Sequence, residues 1–85
     1  MIFTVTYKPS AEQELANIWL QAPDHRAVTD AANRIDVLFR ADPHSQGESR
    51  GEQTRISFER PLAVQFEIHD QDRIVEVLKV WWVGD

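Results

Sequence analysis

The sequence predicts a single α+β domain over residues 1–85, with a two-helix hairpin packed on one face of a twisted, mainly antiparallel four-stranded sheet. The predicted order is strand, helix, helix, strand, strand, strand. Three observations lead there. Apolar residues recur at helical spacing between Ala11 and Phe39, they alternate with polar residues from Leu62 to His69, and the loop-like stretch HSQGESRGE separates the two patterns. A chain of 85 residues has no room for two independent cores.

The opening IFTVTY alternates, with Phe3, Val5 and Tyr7 on one face and Thr4 and Thr6 on the other, as in a strand. KPSAEQELANIWLQA then begins a helix, with Ser10 as its cap and Gln13 completing a capping-box pattern. Ala11, Leu15, Ile18, Trp19 and Ala22 form its apolar stripe, and Pro23 stops it. Asp24 caps a second helix, whose stripe is Val28, Ala31, Ala32, Ile35, Leu38 and Phe39. Asp30 and Arg34 are spaced to pair on its surface, and Pro43 ends it. QTRISF, LAVQFEIH and RIVEVLKVWWV follow as three strands, with ERP and DQD as turns. Leu62, Val64, Phe66 and Ile68 alternate with Ala63, Gln65, Glu67 and His69, which indicates a sheet covered on one face only. The second face stays open.

Composition narrows the function classes. There is no Cys, so thiol catalysis and cysteine-based metal sites are excluded. The start has neither a basic leader nor a signal-length apolar run, and charges interrupt every apolar segment, so a soluble cytoplasmic protein with no membrane partner is expected. A formal charge of −5 lowers the expectation of tight, nonspecific binding to a phosphate backbone.

His25, His44 and His69 have no second His or Cys at ligand spacing, so no metal ion or other cofactor is expected, and each histidine reads as a surface residue. SQGESRG lacks the ending of a phosphate loop, and no serine sits in a triad signature. The arginines carry more information. Arg50 and Arg55 bracket the entry into the second strand, Arg60 sits in the next turn, and Arg73 opens the last strand. With Ile56 and Phe58 facing the core, Arg55 and Ser57 fall on the open face; the plainer role for these arginines is pairing with Glu48, Glu52, Glu59 and Asp72.

The frame YKPSAEQEL, the second helix ending FRADP, then GESR, RISF, PLAVQFEI and DRIVEVLKV resembles a RelE/ParE superfamily toxin, a plasmid-stabilisation-like component of bacterial type II toxin–antitoxin systems. The resemblance covers nearly the whole chain. It implies two helices on one face of a twisted sheet and a cognate antitoxin that wraps the toxin and silences it. It also implies one of two targets, mRNA in the ribosome for RelE-like members or DNA gyrase for ParE-like ones. In RelE-like enzymes, basic residues on the second and third strands, an arginine after the last strand and a tail tyrosine carry the cleavage. Arg55 matches the first of these positions and is the candidate catalytic residue, but Ser57 occupies the next and Ala63 stands at the arginine-like place on the third strand. Val83, Gly84 and Asp85 follow the last strand without a tyrosine, and Tyr7 reads as a core residue. The match therefore points to a ParE-like or degenerate toxin rather than a ribonuclease.

The adjacent Trp81 and Trp82 must point to opposite faces of the last strand. Val75 and Val77 share a face with Trp81 unless a bulge shifts the alternation. The expectation is Trp82 in the core and Trp81 beside Lys79 on the open face, together with Arg55, Ser57, Gln65, Glu67 and His69. That surface is nearly charge-balanced, so a protein partner suits Trp81 better than a nucleotide. The predicted binding residues are Arg50, Arg60, Arg73, Lys79 and Trp81. The alternative function is a non-catalytic interaction module that kept the fold and self-associates as a homodimer.

Overall fold

The computed structural model describes residues 2–51 and 53–84. The expected pairing of Glu52 and the terminal Asp85 lie outside them. Strand β1 (Thr4–Tyr7) leads into helices α1 (Pro9–Gln21) and α2 (His25–Ala41), then a short 3-10 turn at Pro43–Ser45. Strands β2 (Glu48–Arg50), β3 (Thr54–Glu59), β4 (Leu62–His69) and β5 (Ile74–Trp82) follow. They form one mixed five-stranded sheet in the order β1-β5-β4-β3-β2, with β1 parallel to β5 and the other pairs antiparallel. The α+β class and the order of the predicted elements hold. The strand count rises from four to five because Glu48–Arg50, expected as loop, pairs with β3.

The core lies between the helices and the face of the sheet made by Leu62, Val64, Phe66, Val75, Val77 and Val80. Val28, Ala31, Ile35 and Phe39 of α2 and Ala11 of α1 close it from above. Asp24 caps α2 as expected, its carboxylate accepting from the N–H groups of Arg26 and Ala27 at 3.0 and 3.3 Å. At α1 the expectation fails: Ser10 lies inside the helix and Lys8 is the cap residue, without a side-chain bond. Pro9 explains the shift, because its fixed φ and missing N–H suit the first helical position.

Beyond Val77, where β1 has ended, α1 takes over the edge of β5. There Glu14 Oε1 accepts the Val80 N–H at 3.0 Å. The Asp30–Arg34 pair is replaced by a longer connection. Arg34 Nε donates to Glu59 Oε1 at 3.2 Å and its Nη2 to the Arg60 carbonyl at 2.8 Å, tying α2 to the β3–β4 turn.

The bulge in β5 is present. Gln65 faces Lys79 while Phe66 faces Val77, leaving Leu78 as the extra residue. Val75, Val77, Val80 and Trp82 thereby share the helix side, and Ile74, Glu76, Lys79 and Trp81 the open side. Trp82 is on the expected side but not in the core. It stands at the end of the sheet, past the stop of α1 at Gln21, 43% exposed beside Ile18, Ala22 and Pro23.

Candidate functional site

The open face takes its composition from the register of β3 against β4. Glu59 pairs with Leu62, Ser57 with Val64 and Arg55 with Phe66, so these three β3 residues point to the helix side. Ile56 and Phe58 point the other way, and the expected orientation of β3 is reversed. Ser57 is 5% exposed and Phe58 53%. An alternating strand has two solutions one residue apart, and RISF alone does not choose between them. The hairpin pairing chooses.

Two zones result on the open face. Around the β3–β4 turn, Phe58 and Trp81 flank the fully buried Ala63, with Lys79 exposed beside them. Arg60 is at this end; its Nη1 reaches the Gly84 carbonyl at 3.5 Å. At the opposite end of β4 and β5, Glu67, His69 and Glu76 converge, their ligand atoms all within 4.8 Å of one another. His69 Nε2 is 3.9 Å from Glu67 Oε1 and 3.7 Å from Glu76 Oε1. Sequence spacing could not show this group, because Glu76 joins it through cross-strand register rather than local sequence.

Around the corner from that cluster lies a polar cavity of about 460 Å³ that includes His44, Ser49, Arg55, His69 and Asp70 in its lining. His44 Nε2 and Asp70 Oδ1 are 2.6 Å apart across it. Arg55 is held in its wall: Nε donates to the Gln46 carbonyl at 3.0 Å, and Nη2 to the His44 and Gly47 carbonyls, each at 3.2 Å. Those contacts pin the 44–47 segment over β3. The remaining predicted binding residues are spread out. Arg50 pairs with Glu48 at 3.2 Å, as anticipated from the sequence. Arg73, at φ 55°, lies over the Phe3 ring with its guanidinium 5.7 Å from the centroid. The structure therefore brings Lys79, Trp81 and Arg60 toward one end and leaves Arg50, Arg55 and Arg73 at the other.

On the helical side, Trp19 is 39% exposed rather than folded into the core. Its indole stacks on His25 at 3.9 Å and donates from Nε1 to Thr29 Oγ1 at 3.1 Å. It borders an apolar groove of about 520 Å³ between α1 and α2, floored by Leu15, Ala16, Val28 and Ala32.

Tyr7 belongs to the first-strand core face, as read from the sequence. Burial, aided by the negative charge of Asp36, pushes its phenol up to about 12. Burial likewise raises Asp36, with Arg40 opposing. The sign of the consequence is fixed. Between about pH 10 and about pH 12 the unfolded tyrosine ionises while the folded one keeps its proton, so stability falls as pH rises. The expected loss is up to about 2 kcal/mol, reduced from the full linkage value because part of the ring meets water. Urea midpoints of the wild type and Tyr7→Phe at about pH 9 and about pH 11.5 check it. A steeper alkaline decline in the wild type is expected, and parallel declines would remove Tyr7 as the cause.

No protein-family model matches the sequence, and no curated protein matches it. Solved structures do match. A chain of the RelBE2 toxin–antitoxin complex from Mycobacterium tuberculosis superposes with TM-score 0.79 at 16% identity, over 100% of this chain and 95% of that one. A chain of the chromosomal ParDE system from P. aeruginosa gives 0.74 at 17% identity over 98% of both chains. A double mutant of the E. coli toxin RelE in the free state gives 0.73 at 14% identity, over 94% of this chain and 82% of that one. Helix pair, sheet and strand order together give this chain the fold shared by RelE and ParE toxins.

Proposed function

We propose that the protein is the toxin of a type II toxin–antitoxin module, held by a cognate antitoxin, and that it poisons its target by binding, as in ParE-like inhibition of DNA gyrase, rather than by cutting mRNA on the ribosome. The observation that carries the second half is the engagement of Arg55. Stabilising a cleaved phosphodiester needs cationic donors aimed at the developing charge. Arg55, the candidate for that task, donates to three backbone carbonyls instead. The arginines at the same end are engaged elsewhere, Arg50 with Glu48 and Arg73 over the Phe3 ring, and Arg60 stands at the far end of β4 and β5. The fold supports the first half, and the apolar groove beside Trp19 offers an antitoxin segment a surface to cover.

On this reading the working surface is the end of the open face with Phe58, Lys79, Trp81 and Arg60. A base-stacking or phosphate-binding role would call for more positive charge than this zone carries, whereas an aromatic pair beside two cations is suited to a protein target. The test is tightly controlled induction in bacteria, with pulse labelling of new DNA and new protein in one culture. Arrest of DNA synthesis, abolished by Trp81→Ala but retained by Arg55→Lys, is the expected result. A rapid stop in protein synthesis would instead establish ribosomal cleavage and return Arg55 to a catalytic role. Normal growth with soluble protein present would remove the toxin reading for that host. The exposed Phe58 and the half-buried Trp81 beside it would then favour the non-catalytic module, with a homodimer detectable by sedimentation.

A further inference from the structure

We propose that Glu67, His69 and Glu76 bind a divalent transition-metal ion of the zinc type, in a site independent of the toxin reading. Strand alternation puts Glu67 and His69 on the same face of β4, and antiparallel pairing places Glu76 directly opposite Glu67. Three side chains from two hydrogen-bonded strands thus project into one spot on the open face of the sheet. Tetrahedral zinc with ligands at about 2.0–2.2 Å separates neighbouring donor atoms by roughly 3.3–3.6 Å. The His69–Glu76 and His69–Glu67 separations, 3.7 and 3.9 Å, are within a small side-chain adjustment of that. All three residues are half-buried, so their rotamers are already restricted by neighbours.

The charge pattern points the same way. Like charges directly across a strand pair are unfavourable, yet Glu67 and Glu76 face each other in register. Among the described residues, no lysine or arginine forms an ion pair with either, and the imidazole of His69 is their shared neighbour. A divalent cation turns that repulsion into coordination. The donor set chooses the ion: one imidazole with two carboxylates suits zinc and its transition-metal neighbours, whereas magnesium and calcium prefer all-oxygen shells. Three protein ligands leave one position for water or an anionic group. His69 also lines the polar cavity that holds His44, Asp70 and Arg55, which gives such a group space to enter.

The experiment titrates Zn²⁺ into the metal-stripped protein by calorimetry and follows melting with and without the ion. One saturable Zn²⁺ per chain is expected, weakened by at least about tenfold in both His69→Gln and Glu76→Gln, since even outer-shell partners cause losses of that size. Melting should change order. Without metal, Glu76→Gln melts at or above the wild type because the like-charge pair is gone. With excess Zn²⁺ the wild type melts higher, and Mg²⁺ at the same concentration does not reproduce the rise. Absence of saturable binding, or binding that survives in both variants, overturns the proposal; the latter would locate zinc elsewhere, such as at His44 and Asp70. If either variant loses its fold by circular dichroism, Co²⁺ added to the wild type decides. Visible absorption from a four-coordinate ion supports the site, and a spectrum matching hydrated Co²⁺ rejects it.

Discussion

Alanine at Phe39 is expected to destabilise the fold by about 4 kcal/mol, within the usual range for removing a fully buried aromatic side chain. Phe39 is 0% exposed and stands near the C-terminal end of α2, where its ring meets Phe66 of β4 at 4.3 Å between centroids, tilted by 41°. Phe66 is itself fully buried and adjoins the register shift in β4–β5, so the aromatic pair joins the helix to the part of the sheet where regular pairing breaks. Neither ring has a polar atom that water could satisfy, so the vacated space stays a cavity unless the surroundings collapse. For a domain of this length each kcal/mol lowers the melting temperature by roughly 4–8 °C. A drop of this size approaches the whole stability of a small domain. Phe39→Leu, expected to lose about 1.5 kcal/mol, provides the graded variant that stays folded. Val37→Ala, two residues away at a position 67% exposed, should change stability by no more than about 0.5 kcal/mol. A Phe39→Ala loss below about 1.5 kcal/mol would show that α2 resettles onto the sheet and that the aromatic pair does not fix its seat.

That contrast between Phe39 and Val37 was visible in the sequence, because helical spacing sorts them without any tertiary information. The same holds for Asp24, whose capping geometry depends on the next three residues, and for Leu62, Val64 and Phe66, whose alternation is uninterrupted. The elements that escaped reading depend on distant partners. Strand β2 has no apolar alternation, since Glu48, Ser49 and Arg50 are all exposed, and it exists because β3 offers it an edge. The orientation of β3 follows from the pairing of Glu59 with Leu62, which no property of Thr54–Glu59 encodes. The bulge at Leu78 was the exception. Val75, Val77, Val80 and Trp82 can share the buried side only if one residue between them is extra, so the sequence carried a trace of it.

The candidate site divides along the same line. Trp81 and Lys79 on the open face followed from strand alternation near the chain's end. Arg55 is a different matter, because its position in the strand was plain but its partners, the carbonyls of His44, Gln46 and Gly47, lie 8 to 11 residues earlier in a segment read only as loop. Likewise, Glu67 and Glu76 became neighbours through register, and His69 joined them because β4 keeps its alternation to its last residue. Residue types alone listed the ionisable groups. Only the sheet decided which of them meet.

Gly47→Ala should destabilise the protein by about 3 kcal/mol, through a fault in the backbone rather than a lost side chain. Gly47 adopts φ +66°, and a Cβ there would lie 2.3 Å from the Ile56 carbonyl oxygen and 2.7 Å from its carbon. Those atoms are main chain in β3, so no rotamer change can clear them. Ser57 Cβ, at 3.0 Å, closes the same space and accounts for the burial of that serine beneath the loop. The close approach is what lets Arg55 gather the carbonyls of this segment, so a displaced residue 47 breaks up the wall of the polar cavity as well. Gly51→Ala is the control. It has φ +85°, but the nearest atom to its added Cβ is Thr54 Oγ1 at 3.8 Å, so only the left-handed conformation is penalised, by about 1–2 kcal/mol. Denaturant unfolding of the two variants measures the difference. A larger loss at Gly47, with faster amide exchange over residues 44–50, supports the close packing of this segment on β3. Equal losses would mean that the loop moves aside freely, and that Arg55 is not held by its carbonyls but is free to act on a ligand.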